Sequence, residues 1–163
     1  MTRISDFKSS FIAGVRPNLF RMEVSGFPEK FSFMCKASQV PSKTIEVIEV
    51  PYLNMKHKIA GINTFETLTT SIIMDTDLLI RNTIEGWMEN IRSNDSMYGS
   101  TPLENEKTGS LFLMNQSGDD IANWDYIGMW PTALGNVELS YETGDSIAEY
   151  TCEFAYTYWT RIK

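Results

Sequence analysis

The chain has 163 residues, of which 42% are hydrophobic and 12% aromatic, and its formal net charge is −7. That length and composition suit one folded domain with a real core, and they exclude a disordered chain. An acidic protein is a poor coat for nucleic acid, whose phosphates need basic partners, and no run approaches the ~18 apolar residues of a membrane span.

Residues 1–15 are polar with scattered apolar positions, and they read as an N-terminal arm that is ordered only where something holds it. Residues 16–163 read as a single β domain. Arg16-Pro17-Asn18 opens a predicted strand from Leu19 to Val24, with Phe20, Met22 and Val24 on one face. The turn Ser25-Gly26-Phe27-Pro28 leads to a second strand with Phe31, Phe33 and Cys35 inward and Ser32, Met34 and Lys36 outward, ended by Pro41. A third strand, Thr44 to Val50, changes parity between Val47 and Ile48, as a β-bulge would. The connection from Pro51 to Asn63 carries Tyr52, Asn54, Lys56, His57 and Lys58. Part of it can fold as a hairpin arm, and a connection of this length in a small domain usually has a task.

A strand from Phe65 to Met74 follows, with Thr67, Thr69 and Ser71 as a small polar row. One segment has helical period: Ile80, Ile84, Trp87, Met88 and Ile91 recur at three and four residues, behind Asp75-Thr76-Asp77 as capping acids. Gly86 costs this helix about 1 kcal/mol relative to alanine. Residues 93–109 read as loop. Gly109 to Gln116 is a strand, turned by residues 117–120 into one containing Trp124 and Tyr126, and Pro131 marks an edge, bulge or strand end farther on. Val137 to Tyr141 alternates as a strand, and Glu142-Thr143-Gly144-Asp145 is hairpin-turn chemistry. In the final strand, Ala148, Tyr150, Cys152, Phe154, Tyr156 and Tyr158 fall on one parity, and Glu149, Thr151, Glu153 and Thr157 on the other. The expected fold is therefore mainly β, an antiparallel sandwich or barrel of about six or seven strands with one flanking α-helix.

The charges divide unevenly. Residues 1–58 carry nine Lys and Arg against five Asp and Glu, or +4, whereas residues 59–163 carry five against sixteen, or −11. Either these charges simply solvate loops, or a basic part of one copy meets an acidic part of the next, a head-to-tail contact that builds rings or stacks. The first eight residues lack the apolar core of a signal peptide, so residence in the cytoplasm is expected. Cys35 and Cys152 both take apolar parity and read as buried free thiols.

Catalytic chemistry finds little support. His57 is the sole histidine and lies between lysines with no nucleophile motif nearby. Glu104/Glu106 and Asp119/Asp120 are loop acids without a placement across a cleft, and Asp119-Asp120 with Asn123 and Asp125 do not have the spacing of a calcium loop. No catalytic, metal or cofactor-binding residue is expected, and the chain is read as a non-enzyme. A sheet face of Thr, Ser and Glu without arginine or exposed rings would instead offer phosphate and bases nothing to grip.

Several ordered motifs carry a resemblance. Arg16-Pro17-Asn18-Leu19-Phe20, Phe33-Met34-Cys35-Lys36-Ala37 with Pro41, Ile59-Ala60-Gly61 with Thr64-Phe65, Gly128-x-Trp130-Pro131-Thr132 with Gly135, and the terminal Tyr158-Trp159 resemble the tail tube proteins of T-even-type contractile-tail phages. The resemblance covers the chain from Arg16 onward. It implies rings of six that stack head-to-tail into a hollow tube inside a contractile sheath, with sheets of neighbouring subunits joined around the lumen. It implies a tape-measure protein inside during assembly, passage of DNA without specific binding at infection, contacts with baseplate and tail-terminator proteins, no membrane partner, and a place in the virion after assembly in the host bacterial cytoplasm. It also implies that the loop holding Tyr52, Asn54, Lys56, His57 and Lys58 reaches the adjacent ring. Thr67, Thr69, Ser71, Glu149, Thr151, Glu153 and Thr157 are then the candidates for the lumen face. A tube subunit of a type VI secretion or other contractile injection system, and a monomeric ligand-binding β-barrel, are the alternative expectations.

Overall fold

The computed structural model describes residues 3–11 and 13–163, so residues 1, 2 and 12 of the expected arm lie outside the described residues. In chain order the elements are α1 (Ile4–Ser10), β1 (Phe20–Val24), α2 (Lys30–Met34), β2 (Cys35–Ala37), β3 (Thr44–Tyr52), β4 (Met55–Thr64), β5 (Leu68–Ile73), α3 (Leu79–Ile91), α4 (Pro102–Asn105), β6 (Lys107–Met114), β7 (Asp120–Leu134), β8 (Glu149–Ala155) and β9 (Tyr158–Arg161). The protein is mainly β, and every strand pairing among the described residues is antiparallel.

Seven strands form one sheet in the order β1-β6-β7-β8-β5-β2, with β9 also paired to β7, while β3 and β4 form a separate two-stranded arm. The described residues thus hold nine strands, because the connection at 51–63 supplies half of a hairpin and the final strand divides into two. Alternation decides the sheet. Met22, Val24, Leu111, Tyr126, Leu68, Ile72, Tyr150, Cys152 and Phe154 turn to one side and are buried there. Helix α3 lays Ile80, Ile84 and Trp87 onto that core, spaced as expected, and Trp87 donates its indole N–H to the Asn105 carbonyl at 2.7 Å.

β7 runs fifteen residues and changes partners along its length: residues 124–127 pair with β9, and residues 130–134 pair with β8. The change happens at Gly128, whose φ of +68° lies in the left-handed region. The register slip between Pro131 and Ala133 puts a bulge where proline chemistry predicts one.

Several expected elements form differently. Residues 30–34 make a helical turn rather than a strand, because Phe27, Phe31 and Cys35 are spaced by four and Phe31 and Cys35 share the core. Phe33, expected inward, is 73% exposed. Residues 137–141 are not a strand: no neighbouring edge pairs with them, and Leu139 and Tyr141 stand in solvent. Asp75 and Asp77 do not cap α3, since both carboxylates hold the Lys30 ammonium at 2.5 and 2.8 Å. Leu78 occupies the N-cap at φ 52° with no side-chain cap. The bulge in β3 falls between Ile45 and Val47, slightly earlier than the parity slip suggested. The arm contains α1, which buries none of its residues.

Two glycines test this account. A Cβ at Gly128 would lie 2.5 Å from the Thr157 hydroxyl on a positive φ, whereas one at Gly86 meets nothing within 4 Å. Gly128→Ala should therefore cost about 1–3 kcal/mol and lower the thermal midpoint. Gly86→Ala should raise stability by about 1 kcal/mol. Chemical denaturation of the two variants measures both.

Candidate functional site

The polar row that the sequence suggests on two separate strands becomes one surface. β5 and β8 pair so that Thr69 faces Glu153, Ser71 faces Thr151 and Ile73 faces Glu149. All of these side chains lie opposite to the buried Thr70, Ile72, Tyr150, Cys152 and Phe154. β7 extends the surface through Ala133 beside Glu153, and β2 extends it through Ala37 beside Ser71. The result is a patch of mostly short side chains with two carboxylates and one larger apolar member, Ile73. Thr67 continues the row one step before β5 and is exposed. Thr157 stands apart at the break between β8 and β9, where its N–H donates to the Ile127 carbonyl and its hydroxyl lies beside Gly128.

Lys36, expected outward, joins this surface through a partner that parity alone did not supply. Its ammonium lies 2.6 Å from Glu149, so one acid of the surface is neutralised within the subunit. Glu153 has no ion-pair partner among the described residues. Behind this face the two thiols are buried, and burial pushes both Cys35 and Cys152 up to about 12. At neutral pH they are inert apolar filling.

The loop candidates occupy a second feature. β3 and β4 pair from Thr44–Thr64 to Tyr52–Met55, closed by Leu53 and Asn54. Leu53 takes φ 53° and is 88% exposed, an uncommon choice for a side chain of its kind. Register sorts the arm into two faces. Ile48, Val50, Tyr52, Met55, His57 and Ile59 share one, and Val47, Glu49, Pro51, Lys56, Lys58 and Ala60 share the other. Lys56 reaches Glu49 at 2.8 Å, so this arm carries its own counter-charge. Gly61 is fixed by the bulge, since a Cβ there would approach the Glu46 carbonyl oxygen to 2.9 Å. The arm's apolar face remains uncovered, with Tyr52 and Met55 largely exposed. Sequence reasoning found the segment but not this sidedness, which depends on the register of the hairpin.

The loop acids do not converge. Asp119 closes a turn with Asn115, Asp120 lies 3.7 Å from Arg21, and Asp125 accepts from the Ser110 hydroxyl at 2.7 Å. Glu104 is on α4 and Glu106 follows it, in another part of the fold.

The phage tail tube protein family, as a sequence profile, matches residues 4–162. The tail tube protein gp19 of Enterobacteria phage T4 is 28% identical over 160 residues, covering 96% of this chain and 98% of that protein. The tail tube protein of Serratia phage KSP90 is 26% identical over 96% of this chain and 95% of its own length. Among solved structures, a chain of the PVC extracellular contractile injection system, in its extended sheath–tube complex, shares the fold at TM-score 0.66 and 15% identity, covering 99% of this chain and 98% of that one.

The thiols give a direct check of which face is closed. Native protein at pH 8 should leave both cysteines unmodified by a disulfide-exchange reagent, with reaction appearing on unfolding or as pH climbs toward 12. Fast modification of either thiol in the native state at pH 8 would mean that the greasy face is open.

Proposed function

We propose an assembly for this chain, which belongs to the phage tail tube protein family and is a structural tube subunit rather than an enzyme. Six copies close into a ring, and rings stack head-to-tail into a hollow tube. The observation that carries the reading is the one-sided sheet. Its apolar face is filled by the subunit's own core, while its other face presents Thr69, Ser71, Thr151, Glu149 and Glu153 as a smooth polar wall. In the proposed tube that wall, with Thr67 and Thr157 at its margins, lines the lumen. Carboxylates repel phosphate and short hydroxyl side chains give bases no stacking surface, so DNA passes without specific binding. Joining the sheets of neighbours also removes the free edges at β1 and β2, which otherwise invite uncontrolled pairing.

Residues 16–163 form the tube domain in this reading, and residues 1–15 an arm. Solved structures that share this fold are named for a baseplate, a sheath–tube complex and a tube-terminating cap. The same partners are proposed here, together with a tape-measure protein in the lumen during assembly. The product belongs to the virion, assembled in the host bacterial cytoplasm. Identity of 26–28% to phage tail tube proteins favours a phage tail, whereas a type six secretion system protein is 11% identical at TM-score 0.52, a likeness of fold. A ligand-binding barrel is disfavoured because Tyr126, Phe31, Phe154 and Met22 fill the interior.

The arm of β3 and β4 is the proposed reach to the next ring, through Tyr52, Asn54, Lys56, His57 and Lys58. Its apolar face supplies the burial, and Lys58 supplies the charge that Glu49, already holding Lys56, leaves available. Negative-stain microscopy of the purified protein should show rings or hollow tubes, and a strict monomer at high concentration would overturn the reading. Lys56→Glu with Lys58→Glu should shorten the tubes while the monomer stays folded, and tubes of ordinary length would remove the charged contact from the account. A density map of the tube with Glu149, Thr151 and Glu153 turned toward the sheath or buried between sheets would remove the lumen assignment.

A further inference from the structure

The helix α1 and its C-cap carry Ile4, Phe7 and Phe11 at spacings of three and four, and these are 75%, 62% and 56% exposed. Phe7 and Phe11 stack on each other at 5.4 Å between ring centroids, leaving the rest of the stripe to solvent. Among the described residues α1 buries none of its side chains, and a helix of seven residues is marginal unless its greasy side packs. The same protein has an uncovered groove between α3 and β7. Met88, Ile91, Trp130 and Leu134 line its apolar floor, Gly86 leaves it open, and Glu85 and Glu89 stand among its lining.

Resting on the tube reading, we infer that α1 of one copy docks into this groove on a second copy of the chain, with Ile4, Phe7 and Phe11 laid over Met88, Ile91, Trp130 and Leu134. Three observations on the molecule support the pairing. The first is charge: residues 3–16 carry Arg3, Lys8 and Arg16 against Asp6, or +2, whereas residues 81–107 carry Glu85, Glu89, Asp95, Glu104 and Glu106 against Arg81, Arg92 and Lys107, or −2, with Glu85 held by Arg81. The two segments that would meet are thus of opposite sign. The second is reach. The nine residues from 11 to 19 separate α1 from β1, and fully extended they span about 30 Å, enough to cross to a neighbour. The third is the glycine. Gly86 sits in the middle of α3 with nothing within 4 Å of the position a Cβ would take, which keeps the groove clear for an incoming ring side chain.

Cysteine cross-linking tests this with the whole chain. Ser10→Cys subunits are mixed with Gly86→Cys subunits, assembled and oxidised. The native thiols stay silent because both are buried. A cross-linked dimer should form in the mixture and in neither variant alone, and adding Phe7→Glu to the Ser10→Cys subunit should abolish it. Phe7→Glu should also weaken self-association by roughly tenfold or more through lost apolar burial. Tubes that assemble normally with no cross-link would overturn the docking and leave the tube reading standing. A wild-type chain that never self-associates would overturn both. Cross-linking within a single dilute chain carrying both cysteines would place α1 in its own groove, and a Gly86→Cys thiol blocked only in sheathed particles would give the groove to the sheath protein. Either result overturns the inference.

Discussion

The sheet depends on β7 being able to serve two sets of neighbours. A strand of fifteen residues cannot hold one register along its whole length in a twisted sheet, and this one pairs with β6 along most of its length. Along its other edge it takes β9 first and β8 afterwards. Gly128 and the bulge after Pro131 make the exchange possible, the first by adopting a left-handed φ and the second by adding an unpaired residue. The consequence is that β8 and β9, though consecutive, lie end to end against one strand. Tyr126 and Met129 are thereby fully buried, and the Tyr126 hydroxyl donates to the Gln39 carbonyl at 2.7 Å, tying the loop after β2 to the centre of the sheet.

Elements whose partners are close in the chain, or whose period is unambiguous, were legible in the sequence. The alternation of Tyr150, Cys152 and Phe154 against Glu149, Thr151 and Glu153 survives intact because β8 is central and one of its faces is fully buried. The stripe of α3 survives for the same reason. Where the pattern served two periods, it misled. Phe31, Phe33 and Cys35 fit a strand, but Phe31 and Cys35 also fit one helical turn, and the latter packs Phe27 against Phe31 at 5.1 Å. Residues 137–141 have strand chemistry without a strand to pair with, and propensity does not make a ladder. The capping acids were misread because a distant cation, Lys30, claims them, and nothing local announces that.

The functional surface divides along the same line. The row of Thr69 and Ser71 and the row of Glu149, Thr151 and Glu153 were each visible from parity. Their union needed the β5–β8 register, which connects residues about eighty positions apart. Lys36 entered only with the fold, through its ion pair to Glu149. On the arm of β3 and β4, the lysines drew notice as charges, yet register shows Lys56 and Lys58 sharing a face with Glu49 and leaves the apolar residues on the reverse. A charged face with its own counter-ion gains little from a second partner, while exposed Ile, Val, Tyr and Met side chains gain about 25 cal/mol for each Å² removed from water. In the proposed inter-ring contact, burial would therefore outweigh charge.

That division of labour also explains the uneven charge of the chain. The arm from Thr44 to Thr64 holds Glu46, Glu49, Lys56 and Lys58, so it is neutral and accounts for none of the imbalance. The polar face of β5 and β8 is acidic but small, and Lys36 offsets part of it. The rest is spread along the chain: residues 3–16 carry +2, α3 to β6 carries −2, and Glu138, Glu142 and Asp145 add −3 in the segment before β8. In a monomer this arrangement has no use and costs little, since exposed like charges are well screened by salt. In a polymer built by head-to-tail contact it penalises the wrong pairing, basic on basic or acidic on acidic, and leaves the right one. A tube must grow in one direction without branching, and opposite charges at the proposed contacts would favour that outcome at the moment of encounter.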